Sequence, residues 1–271
     1  MLDGVYAKLD RARVHATELK ALVEESLCNA GGFESRPGDR PGELVFVATG
    51  VPRIDPAWST VLGDVLTNLR AALDHLAWQL VVLSDGEPTK QTSFPIRTPG
   101  PDGQAPRALT LRGARPDMLA ELEEIQPAGP HPLDGQPTEN NGLFILNELV
   151  NIDKHRLLLL IAAQLSLRGA WWPVIGDDPG PSLQVADGPL RTGSVAARFD
   201  FLDSTPPEGF DPHLEYTVVL ADAPGIPAVR TVSLTQLLSR LYFDVEHGVV
   251  GRMAHHFNLD HRVIMSVYTN P

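Results

Sequence analysis

Asp64, Asn68, Arg70, Asp74 and His75 all lie inside the most apolar stretch of the chain, Val61 to Leu83. These side-chain types can do chemistry. A histidine moves protons near neutral pH, a guanidinium grips phosphates and carboxylates through a planar fork, and carboxylates serve as bases or metal ligands. On a helix advancing about 100° per residue, Asp64, Asn68 and His75 fall within about 40° of one another. Arg70 and Asp74, four residues apart, can pair on their own flank. A second polar group follows: Asn147, Asn151 and His155 fall on one helical line, with Lys154 and Arg156 nearby, while Asp153 projects from an apolar stripe. Buried polar groups cost free energy unless paired, so both sets need partners, water or a ligand.

Three chemistries fit such a set. The groups could form a buried network that fixes helix register, with Arg70–Asp153 or Asp74–Arg156 as ion pairs. They could instead form a proton-transfer and anion-holding site, with two histidines and several carboxamides converging if the two helices pack antiparallel. Or His75, His155 and Asp64 could hold a metal in the manner of bundle hydrolases. Other motifs give less. His247, His255, His256 and His261 crowd the C-terminus without an HxxxH or HxxH pair; they read first as exposed or packing histidines, with metal binding the lesser alternative. Cys28, Ser84 and Ser166 have no nucleophile context, and Asp64-x-x-x-Asn68 lacks the E-x-x-H pattern of di-iron bundles. There is no Walker or dinucleotide fingerprint, and no cofactor or resident metal is expected. Trp171 and Trp172 could stack on a base or sugar, but read first as strand residues that pack in a core or interface.

The elements that must position these residues follow from periodicity. Leucines at 62, 66, 69, 73, 76, 80 and 83 alternate steps of four and three, which predicts a helix over 57–84. Ala71, Ala72, Ala77, Trp78, Val81 and Val82 make it apolar nearly all round, as befits the middle of a bundle. An amphipathic helix is expected over 2–30, a turn-rich loop over GGFESRPGDRPG, and a short strand near 44–49. From 84 to 115 the chain reads as a long ordered loop pinned by Phe94-Pro95-Ile96, a gate over a site. A short helix over 116–125 starts with proline in its first turn, and a second long helix is predicted over 141–165. Short β-type runs between 167 and 232 suggest an antiparallel sheet. Helix resumes at 233 and runs to about 247, with Ser233 and Gln236 as a capping box.

The segment Arg70-Ala-Ala-Leu-Asp-His75 has the R-x4-H spacing of HEPN ribonucleases, helical proteins that cut RNA without metal as dimers, and it resembles that family. The resemblance implies that His75 moves the 2′-hydroxyl or leaving-group proton while Arg70 holds the phosphate, in a composite site where two protomers face each other. The family often carries a polar residue directly after the arginine, where this chain has Ala71; Asn68 is the candidate to take over that place. More broadly, LGDxxxNLRxALDHLxWQL, SFPI, IQP and NELVNIDKHRLLLL, in that order, look like a group of uncharacterised bacterial proteins over about residues 5–165. That likeness implies shared architecture and a site drawn from Asp64, Asn68, Arg70, Asp74, His75, Asp153, Lys154, His155 and Arg156, with no activity attached.

Composition bounds the rest. The chain has 271 residues, 43% of them hydrophobic, enough for a sizeable core. A net charge of −12 argues against a nucleic-acid-coating surface or an anionic membrane partner, though not against a local basic pocket. The lone cysteine excludes an internal disulfide and fits a reducing cytoplasm. The charged N-terminus has no signal-peptide core, and the apolar run Leu157 to Ala163 is too short to span a bilayer. The expectation is therefore an α+β protein: a bundle of four to five helices over 1–166, an antiparallel β region at 167–232, and a C-terminal helix within 233–271 rejoining the bundle. Its function is expected to be HEPN-like nucleotide binding or metal-independent RNA cleavage in a cytoplasmic homodimer, with single-stranded RNA or a nucleotide as partner and no membrane. The alternatives are a non-catalytic interaction or ligand-binding protein with a structural polar network, and a metal-dependent bundle hydrolase.

Overall fold

The computed structural model describes residues 1–98, 108–127, 141–168, 181–186, 189–202, 205–206, 210, 212–221 and 223–258. The fold is α+β. Its centre is a pair of long helices, α1 (Asp3–Cys28) and α2 (Ala57–Leu83). They are antiparallel: Gly4 of α1 lies under His75, and Lys8 reaches Asn68, seven residues earlier in α2. Val5, Leu9, Ala12, Leu19 and Val23 of α1 bury against the α2 leucines, of which Leu62 to Leu80 are fully buried.

The ends of α2 are set by local chemistry. The Asp55 carboxylate accepts from the Ala57 N–H at 2.8 Å, satisfying a donor of the first turn. At the other end Asp85 adopts φ 56°, and the N–H groups of Asp85 and Gly86 donate to Val82 and Val81. That is the Schellman closure, with aspartate in the left-handed position usually given to glycine. After it the loop runs to α3 (Pro116–Glu124), which starts on proline as expected. Phe94 is the loop's anchor, 1% exposed in the main core.

The helix expected over 141–165 ends early. α4 (Gly142–Asp153) starts on Asn141, whose side-chain oxygen accepts from Leu143 and Phe144. The chain then turns and becomes strand β3 (Leu160–Arg168). Leu158 and Leu160 are buried while Leu157 and Leu159 are exposed, a period of two rather than 3.6. A run of four leucines carries no periodicity, so the sequence could not show that change.

Two sheets flank the helices. β1 (Phe33–Pro37) and β2 (Glu43–Ala48) form a hairpin within the stretch read as a turn-rich loop and a short strand. β5 (Val195–Asp200) pairs with β2, and β4 (Ser182–Val185) with β5, giving the antiparallel order β1-β2-β5-β4. β6 (His213–Leu220) pairs with β3 from Leu160↔Leu220 to Arg168↔His213. The β region thus begins before residue 167 and recruits the N-terminal hairpin. Glu43, 5% exposed, accepts from the Asp39 and Arg40 N–H groups and from Arg198, tying the hairpin turn to β5.

α5 (Leu234–Phe243) starts with the expected capping box of Ser233 and Gln236. Its continuation, Asp244–Gly251, winds as a π-helix, and a 3₁₀ turn at Ala254–Phe257 ends on Asn258 at φ 57°. One large core joins α1, α2, α3, α4, α5 and the π-helix, with two smaller clusters beside it, one around Ala48, Ala196 and Tyr216 and one built on Phe46, Phe199 and Phe201. No described helix is long and apolar enough to cross a membrane.

Candidate functional site

The polar residues of α2 separate into three places. The first is built by Arg70 and Asp74. The Arg70 Nη2 donates to the Phe94 carbonyl at 2.8 Å and lies 3.2 Å from the Asp74 carboxylate, which accepts from the Phe94 N–H at 2.9 Å. Both polar groups of the Phe94 main chain are therefore held by one i,i+4 pair, while the ring fills the core. The Arg70 Nη1 is buried with no hydrogen-bond partner among the described residues. This is a loop clamp.

The second place is where α4 meets α2. Gly63 leaves a gap in the α2 surface, and the Asp153 carboxylate fills it: a Cβ on Gly63 would lie 2.6 Å from Oδ2 and 2.7 Å from Oδ1. The anomaly of Asp153 in an apolar stripe thus has a steric answer. Burial, and then the nearby Asp64 carboxylate, raise the Asp153 pKa above the ordinary aspartate value. Asn68 mainly serves its own helix, donating to the Asp64 carbonyl at 2.8 Å, with Lys8 at 3.5 Å.

The third place is His75, exposed, its ring over Gly4 of α1. His75 stands twelve residues, about 18 Å along the helix, beyond the point where Asp153 touches Gly63. The expected convergence of His75 with His155 is not formed, because axial rise separates positions that a helical wheel superposes. For the same reason Asp64 and His75, eleven residues and about 16 Å apart, cannot share one metal ion. Neither projected ion pair is the one seen: Arg70 takes Asp74, and Asp153 takes the gap at Gly63. On α4, Asn147 donates to the adjacent Glu148, and Asn151 is exposed. Lys154 caps the helix, and His155 and Arg156 follow on the exposed turn, their N–H groups donating to the Ile152 carbonyl.

Two further polar groups stand away from α2, and of their residues the sequence reading singled out only His247, His255 and His256. Tyr242 donates to Glu246 at 3.4 Å beside a groove of about 330 Å³ between α1 and α5. Arg13 and Lys20 stand at the groove's rim, and the His247 ring stacks on Phe243 at 4.6 Å. Burial pushes both the Tyr242 hydroxyl and the Glu246 carboxyl above their ordinary values. The only available signal was Gly248 and Gly251, which mark an irregular helix; π-helical turns are frequent at functional sites. The second group gathers Glu121 of α3 with His255 and His256, residues far apart in sequence. Trp171, Trp172 and His261 lie outside the described residues.

Compared with known proteins, the chain matches no family model, no curated protein and no solved structure.

Proposed function

We propose that this chain is a non-catalytic ligand-binding or interaction protein in which the polar residues of α2 are structural. One observation carries the reading: Arg70 and Asp74 are committed to the two main-chain polar groups of Phe94. An arginine so engaged is not free to clamp a phosphate for His75. In this reading the ligand place is the groove between α1 and α5. Its volume is at the lower end for small-molecule sites, and the Phe243–His247 stack suits a planar ring; Arg13 and Lys20 at its edge are paired with Asp10 and Glu24.

A second reading, HEPN-like RNA cleavage without metal in a homodimer, is favoured by one feature. The outer face of α2 carries His75 together with Trp78 and Val82, which are 44% and 41% exposed. In that reading α1, α2, α4 and α5 form the bundle that presents His75 to a partner copy.

Incubation of the chain with varied single-stranded RNAs in EDTA separates the two. The expected result is no cleavage, with His75→Ala melting like wild type because the residue is exposed. Arg70→Ala should melt lower, since it strips the Phe94 carbonyl of its partner, a loss of about 1–3 kcal/mol. Cleavage that survives the chelator and vanishes in His75→Ala would replace the first reading by the second.

A further inference from the structure

We propose that Glu121, His255 and His256 form a binding site for a divalent transition-metal ion of the zinc class, fastening the C-terminal 3₁₀ turn to α3. This rests on neither functional reading. Zinc is held by imidazole nitrogens at about 2.0–2.1 Å and carboxylate oxygens at about 2.0–2.2 Å, so neighbouring ligand atoms of a tetrahedral site lie about 3.3 Å apart. The Glu121 Oε2 is 2.8 Å from the His256 Nε2 and 3.5 Å from the His255 Nε2, which brackets that separation. One ligand atom from each residue falls within a 4.8 Å group, the one such three-residue group among the described residues. Two imidazoles and a carboxylate are a donor set that suits zinc and leaves one coordination position for water.

The surroundings aim the ligands. The His255 Nδ1 is 2.9 Å from the Arg252 carbonyl; carrying its proton there leaves the lone pair on Nε2, facing Glu121. The His256 Nδ1 faces the Asp117 carboxylate at 3.9 Å, and its side chain is 8% exposed. An imidazole backed by a carboxylate or a carbonyl is the usual second layer of a metal site. Arg252 is the opposing charge. Its Nε is 3.6 Å from the other Glu121 oxygen, Oε1, and its Nη2 pairs with Glu124, so Oε2 stays available to an ion. The ion takes the place of the proton between Nε2 and Oε2.

The test uses untagged full-length protein, stripped with EDTA and titrated with zinc sulfate by calorimetry and by competition with a chromophoric chelator. One ion per chain is expected at micromolar affinity or tighter, with magnesium failing to compete and zinc raising the melting temperature. His255→Ala is the decisive variant, because that side chain is 60% exposed and its loss leaves the core intact. It should weaken zinc binding by more than about tenfold, the least that loss of an outer partner costs, while circular dichroism is unchanged. Glu121→Gln should weaken it likewise. No saturable zinc binding overturns the proposal, and so does binding that His255→Ala leaves as in wild type.

Discussion

Asp153 shows how a single carboxylate can be placed for shape at an electrostatic cost. It fills the notch at Gly63, partly out of water and beside Asp64, and both effects disfavour its charged form. The sign of the consequence follows from linkage. A carboxyl whose folded pKa is raised binds protons more readily in the native state than in the unfolded one. Its contribution is therefore fully present below the ordinary aspartate value of 3.8, and is lost as pH rises through the higher folded value. Asp153→Asn should remove that loss. Melts from mildly acidic to neutral pH should show the variant gaining on wild type as pH rises; a difference that is flat or shrinks with pH would contradict the account. At this scale the sequence was partly readable. Asp153 announced itself by standing in an apolar stripe, and Arg70–Asp74 by their spacing of four. What they touch, a glycine notch and the Phe94 backbone, depends on chain brought in from elsewhere, which no local spacing encodes.

Among the elements, those read correctly are those whose signals are local. α1, α2 and α3 follow leucine periodicity and proline placement, and α5 follows its capping box. The failures have a common cause in tertiary context. LLLLIAAQL is apolar at nearly every position, so only the sheet partner β6 decides that it alternates as a strand. β1 sits in glycine- and proline-rich sequence and exists because β2 pairs with it. The α2–α4 contact can be tested as an element pair. In an open helix, Gly63→Ala would stabilise by about 1 kcal/mol through propensity. Here the added methyl meets the end of the Asp153 side chain, which must swing out of the notch and so offsets part of that gain. Gly63→Ala should accordingly stabilise the Asp153→Ala background more than the wild type. Denaturant melts of the four proteins of that cycle give the coupling, and additive effects would mean the notch is not a tight fit.

At the scale of the molecule, α2 is packed among the described residues by α1, α4, the π-helix and the Phe94 loop. Among the described residues, its exposed strip carries Asp64, Thr67, His75, Trp78 and Val82. A tryptophan and a valine left in water on the most apolar helix are the features that a partner copy would bury. The two functional readings part here. A composite HEPN-like site needs a homodimer with the α2 faces opposed and more than about 1,000 Å² buried in total. A monomeric binding protein needs none, because its groove is complete within one chain. Light scattering after size exclusion, across a range of concentrations, decides between them. On the reading favoured here the chain runs as a monomer, and Trp78→Glu changes neither its mass nor its melting temperature by much. A dimer that Trp78→Glu converts into a folded monomer would instead place α2 at the two-fold axis, and would return His75 to the centre of the chemistry.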